Sequence, residues 1–342
     1  MVNSKLSSTV GWDIGGAHLK LAYLEGETLK THQWACPLWK GIIELSRLLN
    51  MASSMLPESI THHNVTMTGE LADCFEDRDD GVKQIIDCFI KEIKSDDVKI
   101  FSQNRSLDAN EAKKQSDRVA SVNWIASAEV IAQKCKDAIF IDMGSTTTDM
   151  LVINNKQLQL NGLTDYERLK SGELMYTGVV RSCVNTICPD VIYKNEAVPL
   201  IAENFAVTAD VYRILGLLPE HADLGETMDG QAKDKISSLK RFARMVGEDY
   251  IESNYDDWVT SAEYIATQQK NRIINKVQEI IFHHKSIRKI IGAGVGRFVI
   301  KEVADQLDLS YQDFADCIVP SEIKYDAIAN DCAPAVALVF YQ

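Results

Sequence analysis

Apolar positions at the start of the chain alternate in short bursts. Thr9–Ile14, Leu19–Leu24 and Thr28–Trp34 read as three β-prone runs, separated by Gly15-Gly16 and by Glu25-Gly26, and such spacing predicts an antiparallel meander. The period then lengthens. Gly41–Met55 carries apolar residues at 42, 45, 48, 49 and 52, the repeat of a helix with one buried face. Asn64–Met67 predicts a buried strand, Gly81–Lys94 a helix, Val98–Phe101 a strand and Arg118–Lys134 a longer helix, while the charged stretch between Lys94 and Arg118 is expected on the surface.

At Asp137–Ile153 the opening pattern returns: a strand ending in Asp142-Met143-Gly144, a tight turn, and a second strand, Met150–Ile153. The chain therefore predicts two lobes that begin alike. From Phe205 the pattern is mainly helical, with expected helices at Phe205–Leu215, Lys233–Gly247 and Thr260–His284. A strand at Ser286–Gly292, a glycine-rich turn and a helix through Leu307 follow, and Asp326–Phe340 closes the chain as an Ala-rich helix expected to cross back onto the first lobe. The boundaries expected are 1–134 with 325–342 for the first lobe and 135–324 for the second, the second including a helical insertion that closes over substrate.

A length of 342 residues supports this division, because single cores stop growing near the size of one such lobe. A cleft between lobes is then the expected binding site. The formal net charge of -13 opposes nucleic acid and anionic lipid as partners, so a bound anion must be held by backbone amides, a metal ion or a few local cations. No apolar run is long enough for a signal peptide or a membrane span, which leads to the expectation of a cytoplasmic protein. Eight cysteines are scattered without CxxC pairs and are expected as reduced structural thiols; Cys183 and Cys188 flank a short segment that can bring them together. The adjacent pairs His62-His63 and His283-His284 lack the spacing of a helical metal site and are expected at the surface.

Three motifs carry chemistry. In VGWDIGGAHLKLAYL (10–24) a strand delivers Asp13 to its end, Gly15 and Gly16 allow backbone to approach an anion, His18 sits in the turn, and Lys20 returns on the next strand. Asp13 is suited to orient Mg2+ through water. In IFIDMGSTTTDMLVI (139–153) the logic repeats with Asp142 as a metal ligand, Gly144, Ser145, Thr146 and Thr147 around the phosphate, and Asp149 at the exit. In IIGAGVGRFVIKEVA (290–304) Gly292, Gly294 and Gly296 lie between a strand and a helix, where small residues let a nucleotide or substrate lie against the chain. Glu70, after Thr68-Gly69, can face the cleft, and Arg181 can grip an anion in bidentate fashion.

In this order the segments resemble the phosphate-1, phosphate-2 and adenosine motifs of the actin-like ATPase superfamily, in which a lysine also follows the strand-end aspartate by seven positions. That resemblance, over residues 10 to about 304, implies an α/β, two-lobed, ribonuclease H-like fold with mixed sheets. DIGGAHLK, MTGELADCFEDRDDGVKQI (67–85), NWIAS (123–127), DMGSTTTD, ENFAVTADVYRILG (203–216), the Asp229-Gly230 pair and RFARMVGED (241–249) resemble more narrowly the hydantoinase/oxoprolinase-related family of tetrahydromethanopterin-linked C1-transfer pathways, which includes the ether synthase of methanofuran biosynthesis. The chain departs from the family pattern at His18, where that pattern has Asn.

The narrower resemblance implies a Mg2+-dependent transferase that joins an aminomethyl-furanmethyl diphosphate to γ-glutamyltyramine and releases diphosphate. It implies catalytic roles for Asp149, Lys20 and Glu70, with Asp149 the first choice as base and Glu70 the second, and substrate contacts at Asp210 and Arg244. Two other readings stay open: an ATP-dependent kinase or hydrolase, with ATP or ADP in the same loops, and a nucleotide-binding actin-like assembly protein. Self-association into a homo-oligomer is compatible with the sequence.

Overall fold

The computed structural model describes residues 4–103 and 105–341. It divides into two compact units, the first made of Met1–Lys136, Asn155–Gln159 and Asp313–Gln342, the second of Asp137–Asn154 and Leu160–Gln312.

The first unit is built on the expected meander. Strands β1 (Thr9–Gly15), β2 (His18–Glu25) and β3 (Thr28–Ala35) pair antiparallel. Then β4 (His62–Thr68) lies parallel to β1, β5 (Val98–Phe101) parallel to β4, and β6 (Ser106–Leu107) antiparallel to β5. The sheet order is β3-β2-β1-β4-β5-β6, which makes β1 an inner strand covered on both faces. Val10, Trp12 and Ile14 point into a core with Leu45, Leu49, Val82, Ile86 and Phe89 from the Ile42–Ser53 and Arg78–Ile93 helices. The opposite face carries Gly11, where a Cβ would lie 2.0 Å from the Ala335 carbonyl oxygen; backbone of the Ala333–Phe340 helix thus rests directly on the strand. This close approach explains both the glycine and the run of alanines.

The second unit repeats the plan. β7 (Ala138–Met143) pairs antiparallel with β8 (Thr148–Asn154) and parallel with a strand from much later in the chain. After β9 (Gln157–Gln159), which belongs to the first unit, come β10 (Leu174–Met175), the two-stranded hairpin β11 (Asp190–Tyr193) and β12 (Glu196–Pro199), then β13 (Lys289–Ala293) and β14 (Ser310–Asp313). The order β10-β8-β7-β13-β14, with the antiparallel hairpin on one side of β7 and the parallel strand on the other, is the ribonuclease H-like arrangement of actin-like ATPases. The 29-residue helix Tyr255–His283 serves two cores. Its Ile273, Ile274 and Val277 pack against the sheet residues Ile139, Ile141 and Ile290, and its Trp258, Ala262 and Ile265 pack with Val211, Leu239 and Phe242 of the shorter helices.

Several expectations need correction. The Arg118–Lys134 helix is two pieces, Ser116–Val119 and Asn123–Lys134, because Ser121 adopts φ +53° between them. The closing helix covers only Ala333–Phe340, after a 3-10 turn at Ala327–Asn330. The stretch between Lys94 and Arg118 is not merely surface: it contributes β6 and the Ala109–Lys114 helix, with Leu107 and Ala112 in the core. All eight cysteines are free, and burial holds the thiols of Cys36 and Cys332 up at about 12. Cys135 and Cys317 lie with their Sγ atoms 3.4 Å apart. Among the described residues no helix is long and apolar enough to cross a membrane.

His63 is also not a surface residue. It is 6% exposed, its Nδ1 accepts a hydrogen bond from Trp12 Nε1 at 3.2 Å, and Phe89 packs edge-on to both rings. Burial holds its imidazole down at about 4, against a smaller opposing pull from Asp97. Because the unfolded chain takes up a proton near the ordinary value of 6.5 and the folded chain does so only near 4, stability falls as pH drops through that window, by about 3 kcal/mol at most. In His63→Gln the amide oxygen can still accept from Trp12, and most of that acid sensitivity should vanish in urea titrations at pH 7 and pH 4.5. An unchanged difference between the two pH values would place the sensitivity elsewhere.

Candidate active site

In the first unit, Asp13 sits at the end of β1 directly across from Lys20 on β2. Its carboxylate is 4% exposed, and Asn123 Nδ2 donates to Oδ1 at 3.4 Å. Lys20 Nζ donates to the Asp331 carbonyl oxygen at 2.8 Å, so the ammonium is aimed by a backbone acceptor. Gly15 and His18 enclose the turn, and Gly69 lies so close to Gly15 that a Cβ there would come within 3.2 Å of its backbone. Glu70 follows at once. It is fully buried, accepts from Ser121 Oγ at 2.5 Å, and lies under the Arg78–Ile93 helix, where a Cβ on Gly81 would meet the Glu70 carbonyl oxygen at 2.3 Å. The left-handed Ser121 that breaks the expected helix is the residue that holds Glu70.

Two hydroxyls in this region have no hydrogen-bond partner among the described residues: those of Thr66 and Ser127, both fully buried. Thr66 is the register neighbour of Asp13 on β4. Ser127 lies one helical turn beyond Asn123. Thr66 was not singled out in the sequence, and Ser127 entered only as the end of the NWIAS segment, although the alternation in β4 and the i, i+4 spacing from Asn123 place both on the Asp13 side.

In the second unit, Asp142 on β7 faces Asp149 on β8 across the hairpin. Where the first hairpin sets a lysine opposite its strand-end aspartate, the second sets a carboxylate there, and Arg168 supplies the missing charge. Arg168 is 2% exposed and its Nη2 donates to Asp149 Oδ1 at 2.7 Å. Burial pushes the Asp149 carboxyl above the usual carboxylate range, with Arg168 pulling the other way. The turn Gly144–Thr147 is held by neighbouring backbone: Gly178 N–H donates to Thr146 O at 2.9 Å, Val179 N–H to Gly144 O, and Val180 and Arg181 N–H to Ser145 O. A Cβ on Gly178 would lie 2.4 Å from the Ser145 carbonyl. With its carbonyls bound from behind, the turn is fixed in one shape, and Arg181 is an exposed cation beside it.

Gly292, Gly294 and Gly296 are explained first by packing against their own unit. A Cβ on Gly292 would meet the Tyr311 hydroxyl at 2.4 Å, on Gly294 the Asp142 Oδ1 at 2.4 Å, and on Gly296 the Met143 side chain at 2.6 Å. Gly296 N–H also donates to Met143 O at 2.8 Å. Asp210 and Arg244 sit elsewhere. Asp210 is 2% exposed, and Arg241 Nε, itself fully buried, donates to its Oδ1 at 2.9 Å. Arg241 reaches on to Asp229, and Arg244 pairs with Asp229 at the surface at 3.5 Å. Asp210 is thus committed to a buried ion-pair network that ties the helical part of the unit together.

Among the described residues no group of three or more His, Cys, Asp and Glu side chains comes together to hold a metal ion. Mg2+ in phosphate sites is usually held by one or two carboxylates, with waters and phosphate oxygens completing the shell. Asp13 and Asp142, each a single carboxylate at the mouth of a glycine-containing turn, fit that kind of site and no closed protein cage.

The family model described as hydantoinase/oxoprolinase matches residues 62–315, a span that includes Glu70, the whole β7–β8 hairpin and Gly292–Gly296. The chain belongs to the hydantoinase/oxoprolinase family. One member, from Methanocaldococcus jannaschii, is named (4-{4-[2-(gamma-L-glutamylamino)ethyl]phenoxymethyl}furan-2-yl)methanamine synthase and is 32% identical over 309 residues, 88% of this chain and 89% of that protein. A protein of the same name from Methanococcus vannielii is 28% identical over 184 residues, 54% of this chain and 82% of its own length. A nucleotide-free structure of acetone carboxylase superposes on 97% of this chain and 70% of its own, with a TM-score of 0.55 at 8% identity; that likeness shows the fold.

The contact between Gly294 and Asp142 gives a direct check on how this family member fixes its second carboxylate. Gly294 has φ +82°, unfavourable for any L side chain, and no space for a Cβ. Gly294→Ala should cost about 1–3 kcal/mol and move Asp142. A lowered urea midpoint is the expected result, and a midpoint equal to that of the parent protein would show the contact to be unimportant.

Proposed function

We propose that the protein forms an aryl ether: the phenol oxygen of a γ-glutamyltyramine attacks the exocyclic carbon of an aminomethyl-furanmethyl diphosphate. The observation that carries this reading is the 32% identity, spread over 88% of the chain, to a protein named as the synthase of such a furan-methanamine. In the step, the bond from carbon to the diphosphate oxygen breaks with its electron pair going to diphosphate, the carbon–oxygen ether bond forms, and the phenol proton passes to a carboxylate. The furan oxygen feeds electron density to the carbon as it loses its leaving group, so the main task of the protein is to stabilise departing negative charge.

Each unit offers groups for that task. Lys20, directed by Asp331 O, with Gly15, Gly16 and His18, is one cationic turn; Gly144, Ser145, Thr146 and Thr147, with Arg181 beside them, is the other. Mg2+, if bound at Asp13 or Asp142, would supply further positive charge to the phosphate oxygens. Asp149 is the proposed base, because burial raises its proton affinity toward the range in which a carboxylate both ionises and accepts a proton usefully. Glu70, buried and held by Ser121, is the second choice.

Incubation with the furanmethyl diphosphate and γ-glutamyltyramine should yield the ether by mass spectrometry and one diphosphate per ether. Substrate-stimulated release of ADP from ATP, with no ether, would sink this reading in favour of a kinase or hydrolase. Asp142→Asn should lower turnover at least about 10²-fold while the circular dichroism spectrum is kept. For the base, Arg168→Met removes the positive neighbour of Asp149. Its carboxylate is then less favoured, and the acid limb of kcat/KM should move to higher pH; a limb that stays in place would shift the role to Glu70.

A further inference from the structure

The first unit brings into contact two thiols that lie 182 positions apart in the chain, those of Cys135 and Cys317, with Sγ atoms 3.4 Å from each other. Cys135 caps the C-terminal end of the Asn123–Lys134 helix. Cys317 belongs to the Phe314–Ile318 helix, which packs against the first one. That short helix is itself anchored: Phe314, Ala315 and Ile318 are buried, and Ala315 N–H donates to Asn330 Oδ1 at 2.7 Å. The contact is therefore set by packed backbones, and side-chain rotation has only to close the remaining gap to a bond of about 2 Å. Both thiols are half-exposed, so a small reagent can reach them.

Other cysteines are less suited to oxidation. Burial holds the thiols of Cys36 and Cys332 up at about 12 and those of Cys88 and Cys188 up at about 11. At neutral pH these groups stay protonated, and the thiolate is the form that reacts. The place of the contacting pair in the chain is also particular. Apart from Asn155–Gln159, the chain leaves the first unit after Lys136 and returns to it at Asp313, and Cys135 and Cys317 lie just inside these two crossings. A bond between them closes the whole second unit into one covalent loop while lying entirely within the first. It also ties down the far end of the helix whose Asn123 donates to Asp13.

We infer that Cys135 and Cys317 form a reversible disulfide, with a low-molecular-weight disulfide as the oxidant. One cysteine thiolate attacks a sulfur of the reagent, whose S–S bond breaks with its electron pair leaving on a thiolate, and a mixed disulfide forms. The second cysteine thiolate attacks the sulfur of the first and expels the other half of the reagent. The protein gives up two protons and two electrons, and the reagent departs as two thiols.

The test uses the full chain and bis(2-hydroxyethyl) disulfide, an uncharged reagent that the net charge of -13 does not repel. Digestion without reduction should yield a peptide pair joining Cys135 to Cys317, the intact chain should lose two hydrogen atoms, and dithiothreitol should restore both thiols. At a fixed ratio of reagent disulfide to reagent thiol, the ratio of cross-linked to open chain should be at least about 10²-fold higher in the native protein than in urea, because folding holds the two sulfurs together. Cys135→Ser and Cys317→Ser should each lose the cross-link, and at least one of them should carry a mixed disulfide on the remaining partner. Cys183→Ser should cross-link like the parent protein. Equal cross-linking in native and urea-unfolded chains, native mixed disulfides that never resolve to the cross-link, or the lack of an adduct on the remaining partner in both serine variants would each overturn the proposal.

Discussion

The fit of backbone against backbone behind the second hairpin is the constraint on which the rest of that unit depends. Gly178 lies on Ser145 and Thr146, and Gly294 lies on Asp142 and Met143, with no room for a Cβ at either position. Contacts this close exclude water from the carbonyl side of the turn, so those carbonyls must be bonded within the protein, as the N–H groups of residues 178–181 do. The turn is thereby shaped before any ligand arrives. Preorganised groups of this kind stabilise departing charge without the cost of rearranging during the reaction.

Charge is then placed by register. In both hairpins the residue across from the strand-end aspartate is fixed by the antiparallel pairing, Lys20 in one and Asp149 in the other. The first arrangement is neutral as it stands. The second needs Arg168, delivered by the Asp165–Ser171 helix with its Thr164–Glu167 capping box. At Asp149 burial raises the carboxyl above the usual carboxylate range while Arg168 pulls it down, so the two effects oppose each other at one side chain.

The helical part of the second unit is organised around Arg241, which is fully buried and bonded to Asp210 and Asp229. Arg241 bridges the two carboxylates, and removing the guanidinium would leave Asp210 buried without its closest cation, so this network specifies one packing of the Thr208–Ile214 and Lys235–Arg244 helices. That packing in turn positions Tyr212, whose hydroxyl opens the bonded path through Gln269 to the loop. The motif residues Asp210, Asp229 and Arg241 thus belong to the frame of the site.

The sequence by itself determined the opening strands of both units, the positions of Asp13, Lys20, Asp142 and Asp149 in their turns, and the family, because these rest on local periodicity and on short motifs. It gave no sign of Ser121 and left the surroundings of Glu70 and of the Gly292–Gly296 run open. A left-handed residue that breaks a helix in order to hold a carboxylate fifty-one positions away, and glycines whose missing Cβ atoms are answered by Tyr311 and Asp142, have no local signature. His63 was equally illegible, since an imidazole buried against Trp12 and Phe89 reads along the chain as a polar residue. Arg168 was never a candidate, because nothing near it in sequence calls for a cation; only the pairing of β8 brings it to Asp149. Local pattern fixes which residues turn and which run straight, whereas burial and partnership are set by segments far apart in the chain, and only the tertiary structure decides those.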